Sequence, residues 1–549
     1  MKRALIVLIC GVLLLSAAVF LAWTFSTPEA PSLARPLTSP GAPAAARGAA
    51  AFEGAGFSGL SMEALESHAL PWRLVSAALV LDEQSRNPDR PASMETLFAI
   101  LARFGFLPAG EPVNRPDGVR APNRDMPFGF SHGDLAPVWG TRVRVANLSC
   151  AACHAGVTYD ASGLPKPGSI WLGMPNTSLN LEAYTTDVFK ALRHGITRPD
   201  ALMETFDALY PDTGWPERMT TQFLVLPLVR NRLADLADAD RPLPFPNGLP
   251  GSTNGVAALK HKTGVALHQG DAGDNGIVSI PDLGYRHWRT SLLVDSSYSL
   301  PDTDPSSRTQ AGDLTPDHLQ GLARITSFFT VPSMGVHPNR AIGHVDEATD
   351  IFSFLADAYR PMPFPGTVNT QKALAGEAIF SRECAQCHGA YEWRDGRPSL
   401  VSYPNWRGDV GTDPLRAETF SAELAATFSD TVYASEMTIQ PTGEYAAPPL
   451  TGLWASAPYL HNGSVPTLLD LLNPESRPAT FLVGGHALDF EKVGLRLSFD
   501  GTYPGGYEPF SQPVLCDTSR PGQTNGGHRH GAALSPAQKQ ALIEYLKLL

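Results

Sequence analysis

Two Cys-x-x-Cys-His pentads in opposite halves of the chain, helix-spaced apolar residues beside them and a scarcity of strand signals predict a mainly α fold with long irregular loops and few short strands. At 549 residues and 43% apolar composition, there is material for two packed domains and a leader. The 49 glycines and 49 prolines account for the expected loops. A net charge of -12 and a pI near 5.7 leave no basic footprint and argue against a nucleic-acid partner.

In chain order, Lys2 and Arg3 precede a charge-free apolar stretch from Ala4 to Ala22. Residues 1–26 therefore read as a signal peptide or an uncleaved membrane anchor, and the rest as exported: periplasmic or secreted, with inner-membrane anchoring by the N-terminal segment as the alternative. Residues 27–56, rich in Ala, Pro, Gly and Ser, read as a flexible tether. An N-terminal domain with insertions is expected over 57–365, with a packed helix over Glu95–Phe104 and an apolar-periodic stretch over Glu347–Tyr359. The Pro-rich run Arg360–Pro365 marks its end. A C-terminal domain over 366–549 is bracketed by two helices. One spans Gln371–Phe380 and leads into Cys384; the other spans Leu534–Leu549, with Ser535 as cap and Pro536 in the first position. An internal repeat pairs Ile280–Arg289 with Pro448–Ala457, each downstream of its own pentad.

The six cysteines are Cys10 in the leader, Cys150, Cys153, Cys384, Cys387 and Cys516. Cys150-Ala-Ala-Cys153-His154 and Cys384-Ala-Gln-Cys387-His388 have the spacing of covalent haem attachment: two thioethers to the haem vinyl groups and a proximal histidine on the iron. Composition alone gives on the order of 0.002 such pentads per chain, so two are not accidental. A zinc ribbon needs its second Cys pair much closer, and a thioredoxin-like motif does not account for a histidine after both pairs. The expectation is therefore two covalently attached c-type haems with iron ligands His154 and His388, in two cytochrome c-type haem domains. Cys516 is left over and reads as a buried small hydrophobe rather than a reactive thiol. A filled sixth position on each iron favours electron transfer, and an open one allows oxygen or peroxide chemistry.

The run Ala447-Pro-Pro-Leu-Thr-Gly-Leu-Trp-Ala-Ser-Ala-Pro-Tyr-Leu-His-Asn-Gly-Ser-Val-Pro-Thr-Leu468 resembles the signature of the bacterial di-haem cytochrome c peroxidase and MauG superfamily. The Tyr459-Leu-His-Asn-Gly-Ser464 form, the chain length and the ending from Gly527-His528 to Lys547 look most like the di-haem rubber oxygenases, RoxA and its relatives. The resemblance implies that the haem on His154 is the reactive, catalytic centre and that the haem on His388 is a low-spin electron reservoir. His528 matches the distal ligand of the second haem, with His530 as its rival and a solvated loop as the alternative. Tyr459 and His461 read as a buried polar pair beside that haem, bonding propionates or tuning its potential; holding the loop is the alternative for His461. Trp454 is a candidate relay between haems or a packing residue. Met174, in Leu172–Thr177, reads as packing, because a methionine ligand would close the site that the resemblance says is open.

The leading expectation is an oxidoreductase that activates dioxygen on an apolar polymer or small-molecule substrate, as the rubber oxygenases do. The alternatives are a hydrogen peroxide reductase fed by a small electron-donor protein, and a non-enzymatic electron-transfer cytochrome. Calcium is a further candidate cofactor, with no residue assigned to it.

Overall fold

The computed structural model describes residues 29–32, 37–55, 70–120, 126–136, 142–236, 239–267, 275–301, 303–304, 307–333 and 338–549. The predicted leader over 1–26 lies outside them. Among the described residues no helix is long and apolar enough to cross a membrane.

The predicted helices form where the capping chemistry places them. Met94–Arg103 starts on Ser93, whose side chain accepts from the Thr96 N–H. Thr370–Glu383 starts on Asn369, and Pro536–Leu546 opens with a reciprocal capping box between Ser535 and Gln538. The last two pack tightly against each other. A Cβ at Gly376 would lie 2.0 Å from the Ala541 carbonyl oxygen, so only glycine permits this approach. Phe380 and Tyr545 close the contact with ring centroids 5.3 Å apart.

Two expectations need correction. Helices are accompanied by more strand than a mainly α fold would have: the described residues hold eight small sheets of two to four strands. The largest orders Glu29–Ser32, Phe130–Ala136, Val143–Leu148 and Leu70–Pro71, all antiparallel. Most of the other strands are only two to five residues long, too short to print an alternating apolar pattern on the sequence. The second correction concerns residues 27–56. Within this expected tether, Ala44–Ala50 is a helix with Ala46, Gly48, Ala49 and Ala50 buried. Alanine is the best helix former, and small side chains admit a close neighbour. A Cβ on Gly48 would meet the Asp350 carbonyl oxygen at 1.9 Å, and Arg47 pairs with the Asp350 carboxylate at 2.6 Å.

The apolar-periodic stretch at 347–359 forms helix Val345–Ser353, which then widens into a π turn over Phe354–Ala358. One hydrophobic core contains residues from both halves, among them Val157, Phe354, Phe380, Trp454 and Tyr545. A second core is confined to the first half, where Trp72–Arg86 packs with Leu181–Ile196 and Pro199–Leu209 around Phe106, Phe130 and Tyr184. Cys516 is fully buried in the first of these cores, on the strand Val514–Asp517.

Candidate functional site

Each pentad folds as a single helical turn followed at once by an antiparallel hairpin. Cys150–Cys153 leads into Ala155–Tyr159 paired with Pro165–Leu172; Ala385–His388 leads into Ala390–Arg394 paired with Arg397–Tyr403. The turns close through the His154 N–H on the Cys150 carbonyl at 2.9 Å and the His388 N–H on the Cys384 carbonyl at 3.0 Å. Gly389 follows His388 at φ 100°, where a Cβ would strike Leu400.

The same clamp holds both histidine rings. His154 Nδ1 bonds the Pro281 carbonyl at 3.0 Å, and His388 Nδ1 bonds the Pro448 carbonyl at 2.8 Å. A carbonyl only accepts, so each Nδ1 carries the proton and each Nε2 keeps a free lone pair, the tautomer a metal-binding histidine needs. Burial lowers His154 to about 4 and lowers His388 as well, so both rings are neutral at pH 7. Burial also pushes the thiols of Cys150, Cys153 and Cys384 up to about 12. Thiolate chemistry of the zinc or thioredoxin kind is disfavoured there, and thioether formation leaves no charge to bury.

The internal repeat is present, shifted by one residue from the sequence reading. Four residues beyond Pro281, Tyr285 stands at φ 55° before the 3-10 turn Arg286–Trp288. Four residues beyond Pro448, Gly452 stands at φ 52° before the 3-10 turn Leu453–Ala455. Pro281 therefore matches Pro448, where the sequence pairing had put Ile280. The two repeats touch: a Cβ at Gly284 would lie 2.2 Å from Thr451 Oγ1, and one at Gly452 would lie 2.3 Å from Asp282 Oδ2.

Around the second pentad a mostly apolar cavity of about 290 Å³ brings together Cys384, Cys387, His388, Tyr459, His461, His528 and His530. His528 has its ring centroid 6.2 Å from that of His388, and its buried Nδ1 has no hydrogen-bond partner. Burial, then the neighbouring His388 and His530, lower His528 to about 3. His530 is exposed, with its ring 5.5 Å from His528.

The loop carrying His528 is held from several directions. The His528 N–H donates to the Val410 carbonyl at 2.8 Å. Arg477 donates to the carbonyls of Asn525 at 2.5 Å and Gly527 at 2.9 Å. Asn462 donates to those of Gly522 and Thr524, and Asp413 accepts from both the N–H and the hydroxyl of Thr524. Such multiple fixation holds the loop even though His528 itself sits at φ 45°, a left-handed conformation that asparagine and glycine adopt more readily.

The remaining sequence candidates fall out differently. Tyr459 and His461 both line the cavity but do not bond each other. Tyr459 donates to the carbonyls of Leu453 and Val493, both at 3.2 Å, which ties the loop together, whereas His461 stacks on Tyr445 at 4.2 Å. Trp454 is buried, donates to the Met362 carbonyl and packs between Tyr159 and Phe364. Met174 is buried against Gly156. Cys150, Cys153 and His154 lie outside this cavity but connect to it through Pro281, which lines it. Among the described residues no group of three or more His, Cys, Asp or Glu is arranged to hold a metal ion such as calcium. Sequence reasoning missed the two proline carbonyls, Arg477 and Asn462. The prolines were visible as the repeat, and Asn462 as part of the Tyr-Leu-His-Asn-Gly-Ser run.

These features fit a haem: two cysteines and a neutral histidine on one wall of an apolar cavity, with a second neutral histidine carrying an orphaned buried nitrogen across from it. They are those of a c-type cytochrome. Residues 443–482, which carry Pro448, Tyr459, Asn462 and Arg477, match the family model described as RoxA-like, cytochrome c-like. The chain is also similar to two uncharacterized proteins of Sinorhizobium fredii. It is 24% identical to y4iJ over 539 residues, covering 82% of this chain and 84% of that protein. It is 32% identical to y4iM over 242 residues, covering 36% of this chain and 53% of that protein.

Proposed function

We propose that the chain is an exported di-haem c-type cytochrome oxidoreductase of the rubber-oxygenase kind, within the di-haem peroxidase and MauG superfamily. Cys150, Cys153 and His154 hold one haem in the first domain, residues 57–365. Cys384, Cys387 and His388, with His528 opposite, hold the other in the second, residues 366–549. The observation that carries the reading is the duplicated clamp, His154 on Pro281 and His388 on Pro448, with a histidine ring opposite only the second among the described residues.

A haem bound at these sites supplies a one-electron iron couple and, where an axial position is open, a place to activate dioxygen or peroxide. The protein decides between these uses. His388 and His528, with ring centroids 6.2 Å apart, would both hold the second haem, which would suit an electron reservoir. Among the described residues His154 has no aromatic ring opposite it within stacking distance, which suits exchange of a small ligand. Pro281 and Pro448 fix the tautomer and orientation of the two proximal rings, and their carbonyls make both rings better donors. Leu468, Leu472 and Leu546 exclude water around the second site. The substrate under this reading is an apolar polymer or small molecule, and a small electron-donor protein serves the second haem.

The visible and EPR spectra of the ferric protein test the proposal. One low-spin bis-histidine haem and one haem that responds to cyanide when ferric, or to dioxygen after reduction with dithionite, are expected. Two low-spin haems indifferent to both ligands would leave only an electron carrier. With one reactive haem present, turnover of polyisoprene supports the oxygenase, and turnover of hydrogen peroxide alone replaces it with a peroxidase.

A further inference from the structure

The cavity around the second pentad is completed by the first half of the chain. Arg286 and Arg289, in and just after the 3-10 turn beyond Pro281, both line it. Arg289 is only 2% exposed. Its Nη2 donates to the Leu293 carbonyl at 3.0 Å and to Ser296 Oγ at 3.4 Å, while its buried Nε has no partner. Arg286 donates Nε to the Asp282 backbone carbonyl at 3.2 Å and opens onto the cavity.

The neighbouring carboxylates are already engaged. Asp282 accepts the Tyr359 hydroxyl at 2.6 Å and the Gly284 N–H at 2.8 Å. Asp295 forms a buried ion pair with Arg416 at 2.6 Å, and Glu383, which also lines the cavity, pairs with Arg382. Burial, then the charge of Arg289, pull the Arg286 guanidinium down to about 10, a sign of two cations crowded together away from solvent. Guanidiniums in such a place are stable when an anion shares it.

We propose that Arg286 and Arg289 form a carboxylate-binding subsite that takes the propionate groups of the haem attached at Cys384 and Cys387. The inference rests on the haem reading above and adds a first-half contribution to the second-half site. Carboxylate oxygens match the planar donor fork of arginine in paired N–H···O bonds, which a water shell does not replace in an apolar cavity. The same short segment would then serve both haems, with Pro281 fixing His154 and Arg286 and Arg289 neutralising the other cofactor.

Redox titration of the holoprotein, followed in the visible spectrum, tests this with R286Q and R286K. An uncompensated propionate stabilises ferric iron, so R286Q is expected to lower the midpoint potential of the low-spin haem, with a smaller change at the other haem. R286K, which keeps the charge, is expected to restore most of the shift. An unchanged potential in R286Q with both haems attached overturns the subsite and leaves the di-haem reading standing. A wild-type protein without haem at the second pentad overturns both. Should R286Q fail to fold, the resonance Raman propionate modes of the unmodified protein decide. Bands of carboxylates bonded to protein donors support the subsite, and bands of hydrated carboxylates overturn it.

Discussion

In both halves a histidine at the end of a one-turn Cys helix gives its Nδ1 proton to a proline carbonyl, yet among the described residues only the second half sets another histidine ring 6.2 Å from it. The shared side recurs in each half: pentad, hairpin, and a proline carbonyl before a 3-10 turn that returns to the histidine ring from far along the chain. The differing side is assembled from distant chain. His528 reaches His388 only because Asp413, Asn462 and Arg477 anchor the loop over 522–528. A duplicated unit can thus keep its attachment chemistry while one distal loop makes the two copies unequal.

The largest effect is expected from His528→Ala, which should convert the whole low-spin bis-histidine signal of the second haem to an open or high-spin form. Both haems should stay attached and the first should keep its spectrum. If the low-spin signal persists, His528 is not the ligand and His530→Ala is the variant to compare.

Next come the buried ion pairs that brace each half. Asp295→Ala strands Arg416 beside the second site and is expected to lower stability by about 3–5 kcal/mol in chemical denaturation. Glu53→Ala in the first half leaves Arg115 its second partner, Glu111, and should cost less than the loss of Asp295. Separate spectral consequences of the two substitutions would show that each pair braces its own haem.

Gly376→Ala, at the crossing of the two helices that bracket the second half, should destabilise by about 1–3 kcal/mol, because a backbone carbonyl occupies the space of the new methyl. A neutral result would mean that the helices separate without loss.

The smallest effect concerns His486, which joins the halves by bonding Thr177 at 3.2 Å. Burial lowers this ring to about 4 in the folded protein. The unfolded chain therefore takes up the proton first, and the contribution to stability is present above pH 6.5 and lost as pH falls toward 4. His486→Gln should flatten the stability profile over that interval, and an unaltered slope would assign the pH dependence to other groups.

The attachment chemistry was legible because contiguous residues carry it: a pentad needs no tertiary structure to be recognised, and the capped helices at 370–383 and 536–546 announce their own boundaries. The Ala-rich helix at 44–50 was not legible. Its composition matches that of a linker, and it is the distant helix Val345–Ser353 with the π turn after it that gives it a surface to bury against. The strands were missed for a related reason, since pairs two to five residues long are stabilised by partners far away in sequence. The internal repeat was visible in outline, but its register depended on which proline carbonyl met the histidine ring.

By itself, then, the sequence determined where the two Cys-x-x-Cys-His pentads lie, because the spacing that haem attachment requires is carried by contiguous residues along one turn of chain. Tertiary structure alone decided what faces each attached group. It set His528 against His388, turned Tyr459 to backbone carbonyls rather than to His461, and carried two first-half arginines into the second-half cavity. Those placements follow from loop anchoring and burial across hundreds of residues; the resemblance of the ending from Gly527 pointed to His528, and no local pattern pointed to the others.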